Sequence, residues 1–427
     1  MSQTSSQHTK EPRLACVLLW SPLFTQPFIF REVEGLKAHV PLTVYTLYGK
    51  NLVHCSKAMR DAAPSVRTHG IKSLPSILLT LFREIATQPR RFFRLFRTSL
   101  CHKWPNLEVF GENLWAFCLG FLLAREFQTD GVTLIYAPWP RGTAQAAMIA
   151  SSLTGIPFAI TVRGDNLAPA DPDLGLKMHN AALVRTNNYA DQKRIEAFGA
   201  KEASGKTVLV YNSLTLDIPQ TTVPAIASYH GERPLRLMAL GRFDVTKGFD
   251  VLLKACALLR QKGLSFTLTL AGGGGIAMGL GKLEGELRSL THTLGLDDCV
   301  SYPGLISHTE LPRIMASHDI FLAPCVIDSS GRRDGIPNTV IEAMSMGLPV
   351  ITTNIHALPE VIIDHETGLS VPPNDPASLC EAILTLANDP NLAVRLGNHA
   401  QEKAKKTFDP ATNCKKVADL LKSMARS

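Results

Sequence analysis

Three segments of this 427-residue chain combine cations, carboxylates and glycines at spacings that suit phosphate and hydroxyl groups. In Leu240-Gly241-Arg242-Phe-Asp-Val-Thr-Lys247-Gly248 a strand runs into a glycine turn and then an amphipathic helix starting near Gly248. Arg242 and Lys247 are a guanidinium fork and a point charge on one loop beside a helix N-terminus, a combination that holds a diphosphate. Two surface cations would look the same in isolation, and the Gly-Lys-Ser/Thr of a Walker loop is absent. In Leu270-Ala-Gly272-Gly273-Gly274-Gly275 a buried strand ends in four glycines, which let backbone approach a ligand closely. Alone, that segment fits an ordinary strand-end turn better, because the dinucleotide spacing is met only weakly.

The third segment is Asp334-Gly335-Ile336-Pro337-Asn338-Thr339-Val-Ile-Glu342-Ala-Met344. Gly335 and Pro337 make a turn, and Thr339 onward reads as a helix. One carboxylate then lies on the loop, free N–H groups lie at the helix start, and Glu342 lies inside the helix. Asp334 can accept from sugar hydroxyls, the helix start can bind phosphate, and Glu342 can bridge two ribose hydroxyls. A capped surface helix does not account for Glu342 flanked by Ile341, Ala343 and Met344.

Aliphatic runs alternating with helical patterns must position these segments. The expected strands are Leu14–Trp20, Leu42–Leu47, Thr133–Tyr136, Phe158–Val162, Leu183–Arg185 and Val208–Val210, then Leu235–Ala239, Thr267–Ala271, Val300–Tyr302, Ile320–Ala323 and Pro349–Thr352. Such alternation predicts mostly parallel α/β sheets with helices on both faces. A Pro-punctuated polar link at Ile218–Pro234 divides the chain into doubly wound domains at 12–225 and 235–405. Pro410 to Met424 reads as a terminal helix, within residues 406–427, that crosses back to the first domain. Ligands in such sheets bind at the carboxyl ends of the strands, which here should face a central cleft.

Composition narrows the function class. With 45% hydrophobic and 19% charged residues the chain reads as globular, and its longest apolar run, Leu114 to Ala124, is short of a membrane span. Leu14 to Trp20 lacks a small-residue cleavage site, so a cytoplasmic location is expected. Nine scattered cysteines without paired spacing read as small buried hydrophobes. Residues 1–229 hold 24 Lys and Arg against 16 Asp and Glu, whereas residues 230–427 hold 20 against 21, so the excess of the +7 net charge lies in the first half. There Arg83, Arg90, Arg91, Arg94, Arg97 and Lys103 alternate with Phe92, Phe93, Leu95, Phe96 and Leu100, after a stripe of Leu74, Ile77, Leu78, Leu81 and Ile85. This suits an anionic membrane surface, peripheral on the inner face of the cytoplasmic membrane, more than nucleic acid. Helices with a core face and solvated arginines fit the pattern as well.

The three segments, in this order, resemble glycosyltransferase family 4, retaining enzymes of the two-Rossmann-domain GT-B fold. The resemblance implies that Arg242 and Lys247 bind the donor diphosphate, with Gly241, Gly273 and Gly274 at the strand ends. It implies that Asp334 and the backbone of Gly335, Ile336, Pro337, Asn338 and Thr339 hold donor sugar and phosphate, and that Glu342 binds ribose. Leu358-Pro-Glu360 and Thr367-Gly-Leu-Ser-Val-Pro-Pro fit the same pattern. The opening segment Ser21-Pro-Leu-Phe-Thr25-Gln-Pro-Phe-Ile-Phe-Arg-Glu-Val-Glu-Gly-Leu resembles the exopolysaccharide, colanic acid branch. Ala159-Ile-Thr-Val-Arg163-Gly-Asp165-Asn166 stands where relatives carry Thr-x-His-x-x-Asp, so Thr25, Arg163, Asp165 and Asn166 are candidate acceptor-side residues.

Three departures accompany the match: Asp334 for the usual Glu, Arg163 for a common His, and Asn212-Ser213 for Asn-Gly. Arginine exchanges no protons near neutral pH, so Arg163 would position or stabilise. Asp334, Arg242, Lys247 and Arg163 are the catalytic candidates. The implied reaction moves a hexose from a nucleotide-sugar donor to a glycan or lipid-linked acceptor in cell-surface polysaccharide or lipopolysaccharide synthesis, with no cofactor and no metal. A catalytically inactive nucleotide- or glycan-binding subunit and a sugar-nucleotide epimerase of the same fold remain alternatives.

Overall fold

The computed structural model describes residues 11–24, 26–53, 55–163, 172–198, 205–214, 225–273 and 281–425. Residues 218–224 of the expected link at 218–234 lie outside them. Among the described residues, two parallel sheets carry the fold. The first joins β1 (Leu14–Trp20), β2 (Leu42–Gly49), β3 (Arg67–Thr68), β4 (Leu134–Ala137), β5 (Phe158–Val162), β6 (Leu183–Thr186) and β7 (Thr207–Leu209) in the order β3-β2-β1-β4-β5-β6-β7. The second joins β8 (Leu235–Gly241), β9 (Phe266–Gly272), β10 (Val300–Ser301), β11 (Ile320–Ala323), β12 (Val350–Thr353) and β13 (Leu369–Val371) in the order β10-β9-β8-β11-β12-β13. Strands β4, β5, β11 and β12 are buried along their whole length, as strands covered on both faces must be. The expected strands recur with shifts of a few residues at their ends, and β3 and β13 are additions too short to leave a pattern.

The first lobe carries α1 (Pro27–Lys37), α2 (Lys57–Ala62), α3 (Leu74–Thr87), α4 (Pro89–Leu100), α5 (Leu107–Asp130), α6 (Gly142–Thr154), α7 (Leu174–Asn180) and α8 (Tyr189–Phe198). The second carries α9 (Phe249–Gln261), α10 (Gly281–Thr293), α11 (Leu311–Ala316), α12 (Asn338–Ser345), α13 (Pro376–Asn388) and α14 (Pro390–Thr407). The last helix, α15 (Pro410–Met424), returns to the first lobe, where Val417, Ala418, Leu421 and Met424 join a core with Ile29, Val33 and Leu36 of α1. Gly35 makes that crossing possible: a Cβ there would stand 2.4 Å from the Cys414 sulfur. Helix α5 is long and apolar enough to cross a membrane by length and composition, and in the fold it packs against α6, α3 and α4. The architecture is a two-lobed GT-B α/β fold. Each sheet reverses strand order beside its first strand, at β1/β4 and β8/β11, which opens a crevice at the strand carboxyl ends.

Candidate functional site

The crevice is a cavity of about 460 Å³, and its walls come from loops at the carboxyl ends of both sheets. The first lobe contributes Phe28, Trp139, Arg141, Arg163, Asn187 and Asn212. The second contributes Arg242, Lys247, Arg332, Asp334 and the run Gly335 to Asn338.

Backbone geometry fixes the second-lobe wall. Strands β8 and β9 end side by side with Gly241 paired to Gly272. Gly272 has φ +128°, and a Cβ on it would lie 1.8 Å from the Gly241 carbonyl oxygen, so only glycine lets the strands finish this close. Gly248 at φ +64° starts α9, and a Cβ there would meet the Pro324 carbonyl at 2.0 Å. Between Gly241 and Gly248, the Asp244 carboxylate accepts from the Thr246 N–H and hydroxyl, which shapes the loop so that Lys247 turns into the cavity. Its ammonium meets the Asp334 carboxylate at 2.9 Å. Burial alone would pull the lysine's pKa down; Asp334 outweighs that and holds the ammonium above its ordinary value. Pro337 sets the entry to α12 with φ −61° and ψ 131°, and the helix starts without a side-chain cap, leaving its first N–H groups toward the cavity.

Glu342, one turn into α12, is 3% exposed and sits behind the cavity wall. Its nearest charge belongs to the other lobe: Arg31 of α1 approaches it at 3.7 Å. Burial pushes the carboxyl up to about 7, and Arg31 offsets only part of that. Burial, with the same guanidinium adding to it, pulls His308 down to about 4.

The first-lobe wall is built from interlocked charges. Arg185 on β6 donates to Glu32 of α1 at 2.7 Å, to the Tyr136 hydroxyl at 3.0 Å and to the carbonyls of Val210 and Tyr211. The Tyr136 hydroxyl donates to Glu32 at 2.6 Å. Arg163, just past β5, donates to Asn212 Oδ1 at 2.8 Å and lies 3.7 Å from Glu32. Its guanidinium lies against the rings of Phe28 and Trp139, 5.2 and 5.3 Å from their centroids. Burial pushes Glu32 up, but Arg185 and Arg163 outweigh it and hold the carboxyl below its usual range. Burial also depresses Arg163, with Arg185 adding to the effect against Glu32.

Three contacts join the lobes at the edge of the cleft. Glu360 accepts from the N–H groups of Tyr189 and Ala190 at the start of α8 and from the Tyr211 hydroxyl, using a carboxylate where a helix N-terminus favours one. His356 pairs with Asp191 at 2.8 Å, and Asn212 donates to Asn338 at 3.4 Å.

Of the sequence candidates, Arg242, Lys247, Asp334, Gly335, Ile336, Pro337, Asn338 and Arg163 line this one cavity. Gly241 lies beneath the Lys247 side chain, and Thr339 lies in the first turn of α12. Gly273 follows β9 and faces Leu305. Thr25, Asp165, Asn166 and Gly274 lie outside the described residues. Sequence reasoning passed over Phe28, Trp139, Arg141, Asn187 and Arg332. Arg332 carried a signal, two residues before Asp334 in the loop after β11; Trp139 and Arg141 follow β4 in the same way.

Residues 234–389 match the family described as Glycosyl transferases group 1. That stretch contains all the second-lobe residues that line the cavity. Over 193 residues the chain is 30% identical to the amylovoran biosynthesis glycosyltransferase AmsK of Erwinia amylovora, a match covering 45% of this chain and 46% of that protein. The chain spans about half the length of the curated relatives it matches. By structure it is similar to Anabaena HepE in complex with UDP, with a TM-score of 0.72 at 17% identity over 96% of this chain and 100% of that one. It is also similar to sucrose-phosphate synthase from Thermosynechococcus elongatus, with a TM-score of 0.71 at 18% identity over 97% and 100% of the two chains. At such identities the likeness establishes the shared fold.

Proposed function

We propose that the protein is a retaining glycosyltransferase that moves a hexose from a nucleoside-diphosphate sugar to a growing glycan or lipid-linked acceptor in cell-surface polysaccharide synthesis. The observation that carries this reading is the Lys247–Asp334 pair, set beside Arg242 and the uncapped start of α12 in one cavity between the lobes. On donor entry Lys247 exchanges its carboxylate for the diphosphate, and Asp334 turns to the hydroxyls of the donor sugar. Arg242, Lys247 and the α12 N–H groups meet the charge that grows on the leaving diphosphate, a preorganised electrostatic effect. The reaction so read needs neither a metal nor a cofactor. Attack comes from the face the nucleotide leaves, with the departing phosphate taking the acceptor's proton, and Arg163 positions groups on the acceptor side. The match to an exopolysaccharide enzyme supports the acceptor class, and the UDP complex of a neighbour of the same fold supports a nucleotide as ligand. The acceptor would be met by a peripheral enzyme at an anionic membrane surface.

The test is release of nucleoside diphosphate from a panel of UDP-, GDP- and ADP-sugars, with and without a lipid-linked glycan acceptor and with EDTA throughout. Acceptor-dependent release by the wild-type protein, lost in Lys247→Ala, is the expected result. Interconversion of the donor without acceptor, or nucleotide binding with no release under any condition, would overturn it.

A further inference from the structure

The solvent side of α3 and α4 is apolar where the core side already has its partners. Helix α3 packs on α5 through Ile77, Thr80 and the half-buried Leu81. On its other side Leu74, Leu78, Phe82 and Ile85, spaced as one stripe, are 40, 56, 70 and 40% exposed. Helix α4 turns Phe92 onto Phe117 and Phe121 of α5, and leaves Phe93 60% exposed. Four of the expected stripe's five members, Leu74, Ile77, Leu78 and Ile85, therefore divide: one is core and three face outward.

The arginines divide in the same way. Arg91 turns inward and makes a two-bond pair with Glu84. Arg90, Arg94 and Arg97 recur at helical spacing on the exposed face beside Phe93, with no ion pair to another described residue. A surface of this kind requires an occupant with an apolar phase beside fixed negative charge. A second copy of the chain would bring this cationic stripe against itself, and a nucleic acid offers nothing to aliphatic Leu74, Leu78 and Ile85.

We infer that the outer face of α3 and α4 is the membrane-docking surface of the protein, with Phe82 and Phe93 entering the acyl boundary and Arg90, Arg94 and Arg97 binding anionic lipid headgroups. The inference deepens the membrane part of the function proposed above by giving it a location. It does not depend on the donor site, which lies at the strand carboxyl ends and shares no residue with these helices.

Co-sedimentation of the full chain tests it, with vesicles of phosphatidylglycerol and phosphatidylcholine in equal parts against vesicles of phosphatidylcholine alone, at low salt. The wild-type protein should bind the anionic vesicles at least tenfold more tightly. The triple variant R90Q/R94Q/R97Q should lose about a hundredfold of that affinity, and F82S/F93S about tenfold, with both keeping the wild-type melting temperature and nucleoside diphosphate binding. Equal binding by wild type and variants overturns the assignment. So does a lipid-free dimer that F82S/F93S dissolves, or retention on duplex DNA that R90Q/R94Q/R97Q abolishes. Vesicle binding without any nucleotide binding would leave this inference standing and remove the donor site instead.

Discussion

Glu32, Tyr136 and Arg185 come from three separate elements of the first lobe and bond one another behind the cleft wall, with Arg163 standing between them and the cavity. Arg242, Lys247, Asp334 and the start of α12 come from two loops of the second lobe and point into the cavity. Both walls are rich in charge, but one spends its charges on itself and the other presents them to a ligand. Substitution should therefore damage folding on the first wall and chemistry on the second.

The largest expected effect breaks the sealed network. Arg185→Met leaves Glu32 without its 2.7 Å partner, and removing one member of a buried ion pair costs roughly 3–5 kcal/mol. Urea unfolding should show that loss, with donor affinity of the folded fraction little changed. Lys247→Ala should do the reverse: a smaller stability loss than Arg185→Met, because Asp334 lines the cavity and can be reached by water, and a fall in kcat/KM of roughly a hundredfold to a thousandfold. If Lys247→Ala unfolds the protein as Arg185→Met does, the two walls are not different in kind.

Glu342 lies between these cases, buried like the first wall yet on the helix that lines the second. Its carboxyl is raised from 4.5 to about 7 by burial, so the folded state holds the proton more tightly than the unfolded chain. That stabilisation is complete below about pH 4.5 and is lost as pH rises through about 7. Glu342→Gln should therefore be more stable than wild type at pH 8, by on the order of 2–3 kcal/mol, and closely matched to it at pH 4.5. Paired melting curves at the two pH values check this. Were ribose hydroxyls to donate to the ionised carboxylate, donor affinity in the wild type would rise between pH 6 and 8, and the rise would be absent in Glu342→Gln.

The smallest effect concerns Arg163→Lys. It keeps the cation and loses the bond from Nη1 to Asn212 and the flat contact with Phe28 and Trp139. A stability loss of about 1–2 kcal/mol is expected, and thermal unfolding measures it. A larger drop in kcat than in stability would place Arg163 among the groups that touch substrate.

The same contrast explains how much of the site was legible in the sequence. The second-lobe wall is local: Gly241, Arg242, Lys247 and Gly248 lie within eight residues, and Asp334 to Asn338 within five, so spacing alone groups them. The parallel sheets were legible because buried strands such as Phe158–Val162 read as unbroken apolar runs. The first-lobe network was not, because Glu32 and Arg185 are 153 residues apart and meet only when α1 lies on the sheet beside β4 and β6. Arg31 and Glu32 are neighbours on α1 that serve opposite lobes, Arg31 toward Glu342 and Glu32 toward Arg185, a division that only tertiary packing reveals. For α3 and α4 the periodicity gave the helices but not which apolar residues were covered, because α5 shields one face only.

The central claim is that the second-lobe wall binds a nucleotide-sugar donor. Thermal stabilisation of the wild-type protein, Lys247→Ala and Glu342→Ala across UDP-, GDP- and ADP-sugars tests it most directly. One nucleotide series should raise the Tm of the wild type, and both variants should lose most of that response. No stabilisation of the wild type by any donor, or equal responses from all three proteins, would contradict it.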